Sequence, residues 1–309
     1  EYGFNMEEVE MTKAKLKEKS EAEQVAFPNL LAEYLLEELL WLISDSEYAG
    51  HLWLKNPQIL ERKQKQDEDE ALFLDFVYLT EEQTIKSGKM KPGQKISLKL
   101  AYMMLLAFLN KEKTPNIKWK GKAILKENGV EYEITGEFEE MIVPLRIRIT
   151  ELGEAESVPP EQKTVVLFVS EREITYLQYP TELFLAEQIG TILKQMELIP
   201  DMGSYLHCYE ILMQAPLNGR HMRELLVEEC EKAHILPEEE RFKELESYRK
   251  YSYMEKKWKK YLRHGGKTTP NWQEVVDKLS QFLAPIWQAI CKDEVFFGDW
   301  MPELGRYLD

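Results

Sequence analysis

An α+β fold is predicted for this sequence, with strands concentrated in its first half and helices forming its second half. Segments of strand character recur between residues 116 and 177, and two of them are joined by Asn128-Gly129, the commonest signal for a tight hairpin. Beyond Ala215, apolar residues recur at helical spacing as far as Cys291. With 309 residues and 44% hydrophobic content, the chain can bury a sizeable core.

In the first half, the spacing of apolar residues distinguishes helices from strands. Leu31, Leu35, Leu39 and Ile43 follow Pro28 at helical spacing, which predicts a buried helix. The charged stretch 1–26 is expected to form a helix with a frayed start, and 96–109, rich in Ala, Met and Leu, a buried helix. Strands are expected over 51–55, 71–79, 116–126, 130–138, 142–149, 164–169 and 174–177.

The second half is organised around a helical hairpin at 179–214, in which Leu185, Ile189, Ile192 and Met196 form one apolar stripe. Further helices are expected over 223–233, 237–264 and 271–291, and the aromatic tail is expected to dock onto them. The chain is therefore predicted to contain a charged N-terminal segment, an α/β domain and a helical domain, over residues 1–26, 27–178 and 179–309.

The charge of the chain limits its ligands. Acidic residues outnumber basic ones by 55 to 40, which gives a formal net charge of -15. A field of this sign repels nucleic acid overall, so any nucleic-acid contact requires a local basic patch. Solubility alone is a sufficient reason for such acidity.

The cysteines and the hydropathy indicate a compartment. Cys208, Cys230 and Cys291 are widely spaced and odd in number, which favours buried free thiols over a zinc site or disulfides. No apolar run approaches the roughly 18 residues that a membrane helix needs. Because the first 20 residues are highly charged, no signal peptide is expected either, and a cytoplasmic location is predicted.

Several segments together carry a resemblance to a known family. They are Tyr34 to Asn56, Ile142 to Ile149, the hairpin motifs Tyr179-Pro180-x-Glu182, Ala186-Glu187 and Tyr209-Glu210-Ile211-Leu212, and the helix pair 248–262 and 272–290. From about residue 30 to about 290 they resemble the nucleotidyltransferases of the AbiEii/AbiGii toxin family. The resemblance implies a nucleotidyltransferase-like mixed sheet flanked by helices, and a role in abortive infection or toxin–antitoxin systems of bacteria.

The family's metal site is largely replaced in this chain. In the family, two carboxylates alternate on one strand and a third lies on another, and together they hold two divalent ions on the triphosphate. The matching positions are Phe73, Asp75 and Arg148, of which only Asp75 is acidic. A guanidinium at position 148 opposes a bound dication. An alternative pair of acids, Asp67 and Asp69, precedes the strand.

The family's phosphate-binding positions are replaced as well. A Gly-Gly pair, whose backbone N–H groups approach the phosphates, corresponds to Asn56-Pro57, and proline has no N–H. A helix lysine of the family corresponds to Gln188, and a later aspartate to His207. On a helix without a nearby acid pair, His207 is interpreted as a core or boundary residue and not as a base.

Two functions are compatible with these positions. The first is a nucleotidyltransferase-fold protein with a degenerate site, which needs no cofactor and acts by binding a partner, expected to be a protein. The second is an active toxin that uses Mg²⁺ and a nucleoside triphosphate to modify tRNA or a protein. In that second case Asp75 and Asp69 would be catalytic, Asp75 would hold the metal, and Lys55 and Asn56 would bind the nucleotide.

A basic segment, 249–267, is a candidate contact surface for nucleic acid or a partner. Basic and aromatic side chains are interleaved along it, and such side chains together bind phosphate backbones and stack bases. The residues expected to form the patch are Lys256, Lys257, Trp258, Lys259, Lys260 and Arg263. The other interpretation is an ordinary amphipathic helix whose basic face is solvated and whose aromatic side chains point inward.

Overall fold

The computed structural model describes residues 6–60, 71–79, 96–152 and 158–308. The chain divides into two compact units, Glu1–Tyr179 and Pro180–Asp309. The first unit contains a seven-stranded sheet with helices, and the second is mainly helical with a small three-stranded sheet. The predicted α+β class, a mixed sheet flanked by helices and followed by a helical region, is therefore confirmed.

Three described helices and seven strands make up the first unit. The helices are α1 (Met6–Glu23), α2 (Phe27–Ser44) and α3 (Leu98–Phe108). The strands are β1 (Leu52–Leu54), β2 (Leu72–Tyr78), β3 (Lys118–Lys126), β4 (Gly129–Phe138), β5 (Met141–Glu151), β6 (Glu161–Val166) and β7 (Glu173–Gln178).

The order of strands across the sheet is β3-β4-β5-β2-β1-β7-β6. The pairs β2–β5 and β1–β7 are parallel, whereas β3–β4, β4–β5, β1–β2 and β6–β7 are antiparallel. The sheet is therefore mixed, and its centre consists of β5, β2 and β1. These are the strands that carry the positions singled out by the family resemblance.

The predicted hairpin between β3 and β4 forms, but its turn lies one residue earlier than the sequence suggested. Lys126 pairs with Gly129, so the two loop residues are Glu127 and Asn128. Gly129 has a φ of 149°, and a Cβ placed there would lie 2.0 Å from the Ile149 carbonyl oxygen. Only glycine fits this position, because any side chain would enter the neighbouring strand β5.

One face of the sheet is covered by α2 and α3 and forms the core of the first unit. Strand alternation sends Leu72, Leu74 and Phe76 of β2 into this core, and residues 73 and 75 to the opposite face. The core includes two buried acids on α2, Glu37 and Glu38. Both have partners at the turn after β6, so their charges are compensated.

These two acids hold the β6–β7 turn in place. Glu37 accepts hydrogen bonds from the backbone N–H groups of Val169, at 2.9 Å, and Ser170, at 2.6 Å. Glu38 forms a bidentate pair with Arg172, whose guanidinium lies 3.7 Å from the centre of the Trp41 ring. The strand predicted over 164–169 accordingly ends at Val166, because the residues that follow belong to this turn.

The second unit contains six described helices and three short strands. The helices are α4 (Thr181–Gln195), α5 (Gly203–Gln214), α6 (Gly219–Ala233), α7 (Glu239–Ser247), α8 (Ser252–His264) and α9 (Trp272–Cys291). The strands are β8 (Leu217–Asn218), β9 (Asp299–Met301) and β10 (Arg306–Leu308). The predicted hairpin corresponds to α4 and α5, which pack against each other.

The single helix expected over 237–264 is wrong, since a break divides it into α7 and α8. A short 3₁₀ turn at Tyr248–Lys250 separates them, and Tyr251 is extended. The Tyr248 carbonyl oxygen accepts from the Tyr251 backbone N–H at 3.0 Å and from the Trp272 indole N–H at 2.7 Å. The break is therefore accompanied by a tertiary hydrogen bond that the helical periodicity of the sequence does not reveal.

The aromatic tail docks within the second unit, as expected. Trp300 is fully buried, and its indole N–H donates to the Leu212 carbonyl oxygen at 2.9 Å. The ring of Tyr307 stacks on Phe282 of α9. The sheet that these segments build with β8 is a feature that the sequence reasoning missed, because strands of two or three residues leave no measurable periodicity.

Candidate functional site

The candidate site lies where β5, β2 and β1 are adjacent, on the sheet face opposite the core. In the register of the parallel pair β2–β5, Asp75 is directly opposite Arg148 and Phe73 is opposite Arg146. The structure therefore brings three of the sequence-predicted positions, Phe73, Asp75 and Arg148, to one spot. Alternation along β2 and β5 is the physical reason, since residues two apart share a face.

Arg148 and Asp75 form a bidentate ion pair. The Arg148 Nε donates to Asp75 Oδ1 at 3.1 Å, and a terminal nitrogen of the same guanidinium donates to Oδ2. The Asp75 side chain is only 14% exposed, and hydrogen bonding to it raises the pKa of Arg148. Both oxygens of the carboxylate are therefore occupied by a permanent cation.

Phe73 supports this pair from the same strand. The Arg148 guanidinium carbon lies 5.7 Å from the centre of the Phe73 ring, within the range of a cation–π contact. The phenyl ring thus stabilises the cation at the position where the family resemblance implies a carboxylate. A guanidinium held by a carboxylate and an aromatic ring is a binding arrangement for an arginine, not for a divalent metal.

Asn56, just after β1, links β1 to β2 through its side chain. Its side-chain nitrogen donates to the Phe73 carbonyl oxygen at 3.0 Å, and its side-chain oxygen accepts from the Asp75 backbone N–H at 2.8 Å. The carboxamide thus extends the β1–β2 ladder by one step, in place of a peptide group. Because both ends of the amide are bonded to β2, it is not oriented toward a nucleotide.

Lys55 is next to Asp75 in the same cross-strand row. Its backbone N–H donates to the Asp75 carbonyl oxygen at 2.7 Å, and its ammonium group lies 4.7 Å from the centre of the Tyr179 ring. Asp75 is therefore flanked by Arg148 on one neighbouring strand and by Lys55 on the other. The sequence did not suggest the Tyr179 contact, because it depends on β7 pairing with β1.

The alternative acids Asp67 and Asp69 lie outside the described residues. Within the described ranges, the structure contains no group of three or more His, Cys, Asp or Glu side chains placed to hold a metal ion. The Asp75 carboxylate is bound by the Arg148 guanidinium, and the neighbouring Asn56 amide is bonded to the β2 backbone, an arrangement that does not fit a dication.

His207 and Gln188 lie on the helical hairpin of the second unit, on α5 and α4. His207 is largely buried beside the Phe184 ring, 5.5 Å between ring centres, and burial lowers its pKa. A buried neutral imidazole packed on a phenyl ring agrees with the interpretation of His207 as a boundary residue of the core.

The three cysteines are free thiols. Cys208 and Cys230 are buried, and burial raises the pKa of the Cys230 thiol to about 11. Burial also raises the pKa values of Cys208 and Cys291. Protonated thiols are weak nucleophiles and poor metal ligands, so none of them suggests a reactive site.

The basic patch on α8 is narrower than the sequence suggested. Trp258 is 1% exposed and its indole N–H donates to the Pro270 carbonyl oxygen, so it cannot stack on a base. Lys257 is bound to the Ile199 carbonyl oxygen, and Lys259 pairs with Glu255 at 2.7 Å. The exposed cations that share one face, at positions i, i+4 and i+7, are Lys256, Lys260 and Arg263.

Comparison with known proteins reveals distant likenesses to solved structures. No family model and no curated protein matches the chain. The chain is similar to JHP933 of Helicobacter pylori, with a TM-score of 0.45 and 10% identity over 85% of this chain and 94% of that one. It is also similar to an H. pylori protein provisionally described as a nucleotidyltransferase, with a TM-score of 0.41 and 11% identity over 85% and 95%. Likenesses at this level give no information about the activity of this chain.

None of the described helices is both long and apolar enough to cross a membrane.

Proposed function

We propose that this chain is a nucleotidyltransferase-fold protein that no longer transfers nucleotides and acts by binding a partner protein. The resemblance to AbiEii-type toxins supports an origin in bacterial phage-defence or toxin–antitoxin systems. The observation that carries the proposal is the bidentate Arg148–Asp75 pair over Phe73. In this pair Arg148 binds Asp75, the one carboxylate among the three positions that match metal ligands of the family.

The charges explain why this pair opposes nucleotidyl transfer. Two divalent ions in such a mechanism neutralise the triphosphate and activate the attacking group, and they need several carboxylate oxygens to hold them. A dication approaching Asp75 would have to displace the Arg148 guanidinium and would then lie beside it. Repulsion from that cation and the loss of two charge-assisted hydrogen bonds both oppose the exchange.

Label transfer from nucleoside triphosphates tests the proposal. The wild-type chain and the Asp75→Ala variant are each incubated with Mg²⁺, a cell extract and one of the four labelled triphosphates. We expect the same background label on tRNA and protein for both, because Asp75 is already bound by Arg148. Label transfer by the wild type that is absent with Asp75→Ala would establish the alternative, an active toxin.

A further inference from the structure

We infer that the outer edge of β3 binds an extended acidic peptide segment of a partner protein, by addition of a strand to the sheet. The inference rests on the proposed function in so far as the partner is a protein. Within the described ranges, β3 is a terminal strand of the sheet and only β4 pairs with it. Such an edge presents backbone N–H and C=O groups to an incoming strand.

One face of this edge strand carries a row of lysines. Lys118, Lys120, Lys122 and Lys126 alternate along β3, so neighbouring members are roughly 7 Å apart or a multiple of that distance. The side chains of Lys120 and Lys122 are 78% and 63% exposed. An added strand with acidic residues at every second position would place a carboxylate next to each lysine.

The inner neighbour of β3 already shows this pairing. On β4, Glu133 lies opposite Lys122 with 2.6 Å between the charged atoms, and Glu137 lies opposite Lys118 at 3.3 Å. The same lysine row thus accepts an acidic strand on its inner side. A second copy of this chain is a poor occupant of the outer side, because β3 against β3 would bring lysines together.

On the other face of β3, the side chains next to the strand are apolar and come mainly from α3. Leu105 of α3 and Leu109, which follows the helix, cover Gly121 of β3, whose Cβ position is 3.0 Å from both side chains. Leu98 and Tyr102 precede these two leucines by seven residues and therefore share their face. Both are nevertheless about half exposed, at 51% and 48%, because the sheet ends at β3.

Two more apolar side chains extend this surface. Leu106 is 76% exposed and lies one turn after Tyr102, and Leu125 at the end of β3 is 44% exposed. A strand added to β3 would cover them with one face and meet the lysines with its other face. The edge therefore fits a peptide that alternates acidic and apolar residues.

This alternation also favours a peptide over nucleic acid as the occupant. Phosphates would meet the lysines, but the sugar and bases offer no alternating apolar row for α3. The net charge of -15 also repels the phosphates. An acidic peptide pays the same general repulsion but gains backbone hydrogen bonds and apolar burial along the edge.

Peptide binding by the full chain tests the inference. The probe is a fluorescent Glu-Val-Glu-Val-Glu-Val-Glu-Val peptide, and the control probe Glu-Glu-Val-Val-Glu-Glu-Val-Val has the same composition without alternation. We expect anisotropy titrations to give a Kd at least about tenfold lower for the alternating probe, since only its glutamates share one face. Hydrogen exchange over 118–126 should slow when this probe is bound, because the outer amides of β3 become hydrogen-bonded.

The variants separate this edge from other surfaces. Lys120→Glu/Lys122→Glu should weaken probe binding about tenfold or more, and Leu106→Ser should weaken it without a charge change. The matched control, Lys15→Glu/Lys17→Glu, changes two exposed lysines of α1 and should bind like the wild type. Thermal melts identify any variant that is unfolded. If the lysine double variant is unfolded, the affinity of Leu106→Ser for the alternating probe tests the inference instead.

Three results would overturn the inference. They are equal affinity for both probes, unchanged exchange over 118–126 in the complex, and tighter binding of single-stranded oligo(dT) than of the alternating probe at the same lysines. The label-transfer result is independent of all three, so an active enzyme and an unoccupied β3 edge are distinguishable failures.

Discussion

Arg148 is the residue on which the candidate site depends. Its removal leaves the Asp75 carboxylate, only 14% exposed, without its two charge-assisted hydrogen bonds. We predict that Arg148→Ala lowers the free energy of unfolding by about 1–2 kcal/mol. Arg146→Ala, two residues earlier on β5, should cost less than about 0.5 kcal/mol, because its nearest described carboxylate, Glu131, is 4.0 Å away. Equal urea midpoints for both variants would contradict a special role for the pair.

His207 couples the stability of the second unit to pH. Burial lowers its pKa from 6.5, so below that pH the unfolded chain binds a proton that the folded chain does not. The contribution of the neutral imidazole to the free energy of unfolding should therefore be complete above about pH 6.5. It should fall as the pH drops toward the lowered pKa of the folded chain, by at most about 1.4 kcal/mol per pH unit. We predict that His207→Gln reduces this loss, measured by urea unfolding at pH 7.5 and 5.5.

The control for this measurement is His264→Gln, which changes an exposed histidine of the same unit. That variant should keep the wild-type loss of stability on acidification. If the wild type and His207→Gln lose the same free energy between the two pH values, the buried neutral imidazole is not the cause.

At the scale of single residues, the family resemblance assigned Phe73, Asp75 and Arg148 to one site, and the pairing of β2 with β5 brings these three positions together. The side-chain bonds of Asn56 to β2 could not be predicted, since they depend on the exact register of β1. Trp258 was expected in the exposed patch but is buried, because a helical pattern alone does not say which aromatic rings are covered.

The β3–β4 hairpin depends on one glycine. A Cβ at Gly129 would lie 2.0 Å from the Ile149 carbonyl oxygen, and its φ of 149° disfavours every other residue. We predict that Gly129→Ala lowers the free energy of unfolding by on the order of 2–4 kcal/mol. Gly50→Ala is the matched control, with nothing within 4 Å of its Cβ position, and should change stability by less than about 0.5 kcal/mol. Similar denaturation midpoints for the two variants would show that β5 moves enough to accommodate the added methyl group.

The basic face of α8 is the one place where nucleic acid is expected to bind, if it binds at all. Lys256, Lys260 and Arg263 form its exposed stripe. We predict that any binding of single-stranded RNA weakens steeply with salt and is lost in Lys256→Glu/Lys260→Glu. Electrophoretic mobility shifts at 50 and 200 mM salt measure this, and an affinity indifferent to the double substitution would exclude the stripe.

Elements with long, regular periodicity were the ones that sequence could predict. The helix α2, the hairpin strands β3 and β4, and α9 all match their expected positions within a few residues. The break between α7 and α8 could not be found in this way, because the periodicity continues across it and a bond from Trp272 stabilises it. Strands β8 to β10 were missed because they are too short to show alternation.

On the scale of the whole molecule, the order of strands decides what the site can do. Sequence predicted the α+β class from strand segments followed by helices, but it could not predict that β1 and β5 would both border β2. That order places Asp75 between Arg148 of β5 and Lys55, which follows β1. Arg148 binds both oxygens of the Asp75 carboxylate. The proposed loss of nucleotidyl transfer follows from this arrangement.

Acids placed at positions 73 and 148 should therefore create a metal-binding site. Phe73→Asp/Arg148→Asp would place three carboxylates around one point of the sheet, as a dication requires. The variant with Asp75→Ala added serves as the control for the role of the central acid.

Calorimetric titration of Mg²⁺ in the presence of each nucleoside triphosphate tests the central claim most directly. We predict no Mg²⁺-dependent triphosphate binding by the wild type, and binding by Phe73→Asp/Arg148→Asp that is lost when Asp75→Ala is added. Mg²⁺-dependent triphosphate binding by the wild type, abolished by Asp75→Ala alone, would contradict the account.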